Sequence, residues 1–541
     1  MKFGPLPLAE AEGAILAHSI KGGSAVFKKG RVLSSDDVAA LGQAGVSEIV
    51  AARLESGDVA EDEAARALAE AAAGEGAEVA EPFTGRSNLY AAERGLAVID
   101  AQRVAEINAV DEALTIATIP PYNQVEPGQL LATVKVIPFA APAEAVDMAV
   151  SIAAGDGPLV RVAPLAAQRA GLILTRAAGT KESVLEKTAA VTRDRLEALG
   201  SRLDEIRICA HDAAEVAAAI TELRELDCQP ILLFGASAIV DRRDVIPAAI
   251  ERAGGSVDHF GMPVDPGNLL LLGRLGATPV VGLPGCARSP KLNGFDWVLQ
   301  RLLAGLAVVR SDLTALGAGG LLKEIPSRPQ PRDGEIAAAP SRPRIAAIVL
   351  AAGQSRRSGR LNKLLAEIDG VPMVARVVDA VAASAAAPVV VVSGHEPERL
   401  GAALGGRDLT IVHNPRFDEG LSTSLRVGLR ALTGSGARID GAVVCLGDMP
   451  RVKSRHIEAL ISAFEPLEGR AICVPVYDGK RGNPVLWPAS LFADMASVAG
   501  DVGARHLIGE HAEVVCEVAI DDPGVLVDVD TPDALAALNT G

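Results

Sequence analysis

The stretch GAGGLLKEIPSRPQPRDGEIAAAPSRPR, residues 317–344, is the feature that most constrains how this chain can fold. It mixes Pro, Gly and charges of both signs and has no hydrophobic period, the composition of an extended linker. At 541 residues the chain is too long for a single core. The interruption therefore predicts separate folding units on either side of a linker at 317–343.

Downstream of it, short apolar runs alternate with helical patterns. The run RIAAIVL (344–350) enters a Gly-containing segment and reads as a buried strand. Pro372 opens a helix whose Val374, Val377, Val378 and Val381 form one apolar face. Further buried strands are predicted at 388–392, 409–412 and 441–446, with helices at about 421–433 and 453–464. This order predicts a mostly parallel sheet covered on both faces, a Rossmann-like α/β domain over 344–541. Upstream, residues 168–316 repeat the style, with strands at 172–175 and 230–234 and helices at 183–199 and 213–226. Residues 1–167 read as strand-rich, with a turn at 27–30 and alternation at 130–137. The Glu-rich stretch 56–78 reads as a solvated helix followed by a loop.

Bulk properties narrow the function classes. The net charge of −16 leaves no basic footprint for nucleic acid, so any phosphate chemistry must rely on a local cluster. The six Cys contain no CxxC and predict a reducing compartment rather than a disulfide framework or structural zinc. The His residues show no HxH or HExxH spacing for a metal site. Glu10 and Glu12 sit where a signal peptide would be cationic and then apolar. No apolar run reaches the ~18 residues of a membrane span. The expectation is a cytoplasmic protein with no membrane partner.

The chemistry concentrates in LAAGQSRRSGRLNKL, residues 350–364. A buried strand delivers a loop whose Gly353 and Gly359 let the backbone approach a ligand. Ser355, Arg357 and Lys363 can hold phosphate oxygens and offset charge as pyrophosphate leaves. No GK[ST] follows, so this is not a Walker loop; a solvated basic turn is the plain alternative. Asp448 follows the 441–446 strand and Asp530 follows the apolar run 525–529, so both carboxylates fall at strand ends, where open α/β sheets bind ligands. Together they suit a Mg²⁺. Capping is the alternative for each, at Pro450 and at a helix starting near Pro532.

LAAGxSxRxG…NKLL resembles the signature loop of the molybdenum cofactor cytidylyltransferases, within the NTP-transferase superfamily. The resemblance continues in order through VVVSGH (390–395), HNPRFDEGLSTSLRVGL (413–429), CLGDMP (445–450), RGNPVLW (481–487), GDVGARHLI (500–508) and DVDTPDAL (528–535). It implies transfer of CMP from CTP to the terminal phosphate of molybdopterin or molybdenum cofactor. Under that resemblance Leu350, Ala351, Ala352, Gly353, Ser355, Gly359, Ser393 and Gly394 bind the nucleotide. Arg357 and Lys363 are catalytic, and Asp448 and Asp530 hold Mg²⁺. Asn414, Ser424, Asn483 and Asp501 would contact the acceptor. Ala351-Ala352-Gly353 favours CTP, since guanylyltransferases usually carry LAGG. Ser358 stands where the family often has Met or Phe.

FGASAIVDRRD (234–244) and PVDPGNLLLLGRLGATPVVGLPGCARS (263–289) resemble the molybdopterin-binding domain of molybdenum insertases. KKGRVLSSDDVAALGQAGVSEIVAA (28–52) is faintly similar to the region preceding that domain. This second resemblance implies pterin contacts from Gly235, Ser237, Asp241, Asp244, Gly267, Gly282, Pro284 and Gly285. Ala236, Asn268 and Cys286 depart from the pattern, which leaves pterin binding as the expectation and metal insertion as an open alternative. The resulting expectation is a pterin-binding unit fused to a cytidylyltransferase, with a recipient molybdoenzyme or its chaperone as partner. The rivals are a transferase acting on a sugar or polyol phosphate, and a non-catalytic pterin carrier.

Overall fold

The structure, a computed structural model, describes residues 1–22, 25–322, 342–353, 362–434, 436, 438–466, 469–498 and 504–529. Internal contacts divide the chain into two units. The first holds residues 1–79 and 88–341, the second residues 80–87 and 342–541. The second unit takes its short upstream piece through Phe83, which packs on the unit's core beneath the Arg470 guanidinium, 5.5 Å away.

The first unit begins with a three-stranded sheet in which Lys2–Pro7 and Ile15–Leu16 flank Glu48–Arg53. The helix Ser35–Gln43 starts where Ser34 accepts from the Asp37 N–H and Asp37 reaches back to the Ser34 N–H, a capping box. Arg31 grips the same carboxylate with two bonds of 2.8 Å. Residues 58–164 form further small sheets around the helix Glu61–Ala72. That helix corrects the reading of 56–78 as solvated. Ala64, Ala65, Leu68, Ala69 and Ala72 are fully buried. Their i, i+3/i+4 spacing makes a stripe that the Glu content masked, because Ala buries as readily as a larger apolar residue when the neighbouring backbone comes close.

Residues 169–283 make a six-stranded sheet in the order 202–210, 169–176, 231–234, 278–283, 271–275, 256–260. The first four strands are parallel and the last two antiparallel. The chain goes from 169–176 to one neighbour, then crosses to the other. Strand order therefore reverses between 169–176 and 231–234, the kind of crevice that opens at the carboxyl ends of such sheets.

The second unit is an eight-stranded sheet, ordered 410–413, 389–393, 345–351, 441–446, 485–488, 472–477, with 480–481 and 515–519 both beside 472–477. Strands 410–413 to 441–446 are parallel; 485–488 runs against both its neighbours. Six of the eight strands therefore share one direction, as the apolar runs suggest, and 485–488 and 480–481 run against them. Both faces carry helices, with Val374, Val377, Val378 and Val381 of Met373–Ala382 buried on one and Leu425, Leu429 and Leu432 of Leu421–Gly434 on the other. Gly428 lets the latter helix lie close: a Cβ there would come 2.7 Å from Ile348 Cγ2. Among the described residues no helix is long and apolar enough to cross a membrane.

Candidate nucleotide-binding and catalytic site

Three parallel strands end together in the second unit. Ile345–Ala351, buried along its whole length, pairs Ala351 with Ser393 and Leu350 with Leu446. Their continuations, Ala352-Gly353, Gly394 and Gly447-Asp448, form the floor of the site. It closes because side chains are missing. A Cβ on Gly394 would lie 2.6 Å from the Ala352 carbonyl oxygen and 2.6 Å from Phe417 Cβ. One on Gly447 would lie 3.1 Å from the Leu350 oxygen, to which the Gly447 N–H donates at 3.0 Å. Gly353 is exposed, and among the described residues nothing lies within 4 Å of where its Cβ would be, so they leave its backbone available to an incoming group. Ser393 is fully buried and donates to the Val412 carbonyl at 3.3 Å, which makes it part of the floor rather than a free ligand donor.

Over this floor stands one close ion pair. A 3₁₀ turn, Lys363–Leu365, is capped by Asn362, whose Oδ1 accepts from the Leu364 N–H at 3.2 Å. It aims Lys363 Nζ at Asp448 Oδ2, 2.7 Å away; the side chains are 15% and 22% exposed. The other carboxylate oxygen, Asp448 Oδ1, is buried, and the described residues offer it no hydrogen-bond partner. Beside it, the Val529 N–H donates to the Asp448 carbonyl at 3.0 Å. Next to Asn362, Glu396 takes a left-handed conformation before Pro397 and is held 2.7 Å from Arg399. The Arg399 guanidinium keeps the Glu396 carboxyl below its ordinary pKa, against the effect of burial, with Asn362 adding to it. His395 is exposed, its ring tilted against Phe417 at 6.3 Å.

The expected acceptor residues fare differently. Asn414, 1% exposed, donates at 2.9 Å to both Thr423 and Ser424 and accepts from the Arg416 N–H, so Asn414 and Ser424 tie the 414–424 loop to itself. Asn483 is half-buried, with its N–H on the Val525 carbonyl. Ser355, Arg357, Gly359, Asp501 and Asp530 lie outside the described residues.

In the first unit the structure gathers only part of the expected pterin set. Gly235 and Ser237 follow strand 231–234, and Pro284 and Gly285 follow 278–283. Arg288 joins the two loops by donating to the Gly235 carbonyl at 2.9 Å. Gly267 and Gly282 are closely packed positions. A Cβ on Gly267 would strike the Gly294 backbone at 2.9 Å, and one on Gly282 would strike Ile239 at 2.8 Å. Asp241 and Asp244 make local turn and cap bonds. Asp241 pairs with Arg243, while Asp244 caps the helix Val245–Arg252 and accepts from the Val240 N–H. Sequence spacing gave no sign of three other groups at this edge, Thr175, His211 and Arg288. They come from separate strand ends and have no fixed separation in the chain.

Comparison with known proteins agrees with the geometry of the second unit. The MobA-like NTP transferase domain family matches residues 347–514, and a domain of unknown function (DUF8806) matches residues 5–53. The chain is 29% identical to the purine catabolism protein PucB of Bacillus subtilis over 209 residues, 35% of this chain and 94% of that one. It is 24% identical to the molybdenum cofactor cytidylyltransferase of Escherichia coli over 189 residues, 34% and 91% of the two chains. To a probable molybdenum cofactor guanylyltransferase of Natronomonas pharaonis it is 31% identical over 190 residues, 32% and 92%. All three likenesses cover about a third of this chain and nearly all of the relative. With its backbone-floored groove at 351–353, 393–394 and 447–448, this chain belongs to the MobA-like NTP transferase family, and its C-terminal unit is a nucleotidyltransferase domain.

Proposed function

We propose that the C-terminal unit transfers CMP from CTP to the terminal phosphate of molybdopterin or molybdenum cofactor and releases pyrophosphate. The observation that carries this reading is the Lys363–Asp448 pair, a cation and a carboxylate held at 2.7 Å over a floor open to ligand at Gly353. In the free protein each group neutralises the other. A triphosphate with its divalent cation offers both a stronger partner, anionic oxygens for Lys363 and a cation for Asp448.

The residues fit a divalent cation on one structural ground. Asp448 Oδ1 is a buried carboxylate oxygen lacking a described partner, and such an atom is costly unless something positive meets it. Asp448 would hold Mg²⁺ through that oxygen, with Asp530 as the proposed second ligand; Mg²⁺ there supplies neutralisation of phosphate charge. Lys363 and Arg357 steady the triphosphate. An oxygen of the acceptor phosphate attacks the α-phosphorus, the bond from that phosphorus to the bridging oxygen breaks, and pyrophosphate departs with the electron pair. The enzyme's contribution is alignment and charge, without a covalent intermediate.

CTP is the proposed donor because Ala351-Ala352-Gly353 has the cytidylyl pattern; Ala352 lies close against Gly394, where an added Cβ would come 2.8 Å from the Ala352 methyl. The relatives named for cytidylyl and for guanylyl transfer frame the choice. Incubating the full chain with molybdopterin and each of the four nucleoside triphosphates, then weighing the pterin product, tests donor and acceptor together. The expected product is the cytosine dinucleotide. A guanine dinucleotide would overturn the donor and keep the reaction, while turnover only with a sugar or polyol phosphate would overturn the acceptor.

For the first unit we propose molybdopterin binding at the loops 235–237 and 284–285. Support comes from the Arg288 link between them and from the motif resemblance. Loss of pterin affinity in the Ser237→Ala variant is the expected result, and unchanged affinity would remove the assignment.

A further inference from the structure

The carboxyl edge of the six-stranded sheet carries a hydrogen-bonded relay for which neither resemblance accounts. Three strand ends contribute to it. Thr175 sits at the end of 169–176, His211 just after 202–210, and Ser237 just after 231–234, around the crevice where strand order reverses. Ser237 Oγ lies 3.1 Å from His211 Nε2, and His211 Nδ1 lies 2.9 Å from Thr175 Oγ1. Thr175 is 1% exposed, His211 half-buried and Ser237 exposed, so the relay runs from the interior to an open surface.

The direction of the relay follows from the inventory of one hydroxyl. Thr175 Oγ1 accepts from the Ala236 N–H at 2.7 Å and lies 3.4 Å from the Phe234 carbonyl oxygen, which can take its single proton. One lone pair then remains, and it faces His211 Nδ1. A hydroxyl has one proton and two lone pairs, so the arrangement that uses every contact puts the imidazole proton on Nδ1. His211 Nε2 is thereby left bare toward Ser237 Oγ, as a general base needs. Gly235 permits the tight turn that presents Ser237: a Cβ there would lie 2.5 Å from the Ser237 carbonyl oxygen. Beneath the turn, the Arg288 guanidinium lies over the Phe234 ring at 5.1 Å and donates to the Gly235 carbonyl. Burial lowers the pKa of Arg288, and its Nε is buried without a partner among the described residues, so the site favours a neighbouring anion.

We propose that Ser237 is a nucleophile activated by His211, with Thr175 as its positioning residue, and that it acts on a phosphoester or phosphoanhydride. Ser237 Oγ forms a bond to phosphorus as its proton passes to His211 Nε2. The bond to the leaving oxygen breaks, and that oxygen takes the proton from His211. Water, giving a proton to the same nitrogen, then attacks the phosphorus; the Oγ–P bond breaks, and Ser237 Oγ takes that proton back from His211 as the phosphate leaves. This proposal is independent of the transferase reading; it shares Ser237 with the pterin reading, and the two part at the measurement, since pterin binding forms no covalent bond at the Ser237 hydroxyl.

The test treats the full chain with a fluorophosphonate, whose P–F bond breaks as the Oγ–P bond forms, and maps the adduct by peptide mass spectrometry. The expected result is modification at Ser237, absent in Ser237→Ala and slowed about 100-fold or more in His211→Gln. In Thr175→Val, which keeps shape and removes the acceptor, labelling is several-fold slower. Thermal melts establish that each variant is folded, and where His211→Gln does not fold, Thr175→Val decides. The proposal is overturned by no adduct at Ser237 in the parent, or by labelling of the decisive variant at the parent rate. Pyrophosphate release, measured in parallel, reports on the other unit, so the two readings fail separately.

Discussion

Replacing Asp448 by Asn separates the proposed role of this carboxylate as a metal ligand from its structural one. The perturbation keeps the shape and removes one charge. At 2.7 Å and an effective dielectric near 20, the attraction between Lys363 and Asp448 is roughly 6 kcal/mol, most of which is cancelled by the desolvation of both groups. A net coupling of about 1–2 kcal/mol remains for a pair this well shielded. The buried, unpartnered Oδ1 acts in the opposite sense and costs about 1–3 kcal/mol. The two terms are of similar size and opposite sign. Asp448→Asn should therefore change stability by no more than about 1 kcal/mol, a shift of roughly 2–4 °C in Tm for a unit of this size. Turnover behaves differently. Losing a negative ligand oxygen beneath a developing phosphate charge removes about 4 kcal/mol of transition-state stabilisation, close to a 1,000-fold fall in kcat. The assay pairs pyrophosphate release across a Mg²⁺ titration with thermal melts, with and without CTP. Turnover within about tenfold of the parent would sink the assignment of Asp448 as metal ligand. A loss of stability beyond about 3 kcal/mol would mean that the ion pair is there for the fold.

Gly394→Ala should destabilise the C-terminal unit by about 1–3 kcal/mol and raise KM for the nucleotide, because its Cβ would be driven onto Ala352 and Phe417; denaturant titration and initial rates check this, and a neutral outcome would contradict the backbone-floored groove. Glu61 tests the burial of the helix Glu61–Ala72. Burial and the neighbouring Asp62 push its carboxyl from 4.5 to about 7, so the folded state holds a proton that the unfolded chain releases. The penalty is absent below the unfolded pKa, grows as pH rises, and is complete above about 7, at most roughly 3 kcal/mol and about 1–2 once partial exposure is allowed for. Glu61→Gln should thus stabilise the protein at about pH 8 and not at about pH 4, and an equal effect at both would refute the shift. A fragment spanning 342–541 lacks residues 80–87, which belong to the same unit; losing the Phe83–Arg470 contact should lower its melting point relative to the same transition in the full chain, by about 0.5–2 kcal/mol of stability, and identical melts would show that the short segment contributes nothing.

Much of the second unit was readable because buried parallel strands are continuous apolar runs that stop at Gly or polar residues. Gly441–Leu446 and Leu421–Gly434 fall where the pattern puts them. Strand direction was not readable. Nothing local in Val485–Pro488 says that it runs against Gly441–Leu446, since that depends on how the chain returns and not on its side chains. Glycine function was equally hidden. Gly235, Gly267 and Gly282 are alike in sequence, yet the first turns a loop and the others admit a neighbouring backbone or side chain. Of the two readings open for Asp241 and Asp244, the local one is what the structure displays, as both satisfy their own turns. The Ser237–His211–Thr175 relay was illegible because its members meet only through the crossing order of three strands.

The scarcity of aromatic residues, 3% of the chain, bears on both sheet edges. Strand ends without large side chains can close until backbone meets backbone, as at Gly394 and Gly447 in one unit and Gly235 in the other. A floor made of backbone carries little titratable chemistry of its own, so the few side chains projecting over it must supply the rest. In the C-terminal unit these are a mutually neutralised cation and carboxylate, poised for a ligand that carries both charges. At the edge of the N-terminal sheet they are neutral hydroxyls and an imidazole beside one guanidinium, suited to moving a proton near an anion. The same backbone economy therefore supports two different proposed chemistries, and which one applies is set by whether the side chains over the floor are Lys and Asp or Ser, His and Thr.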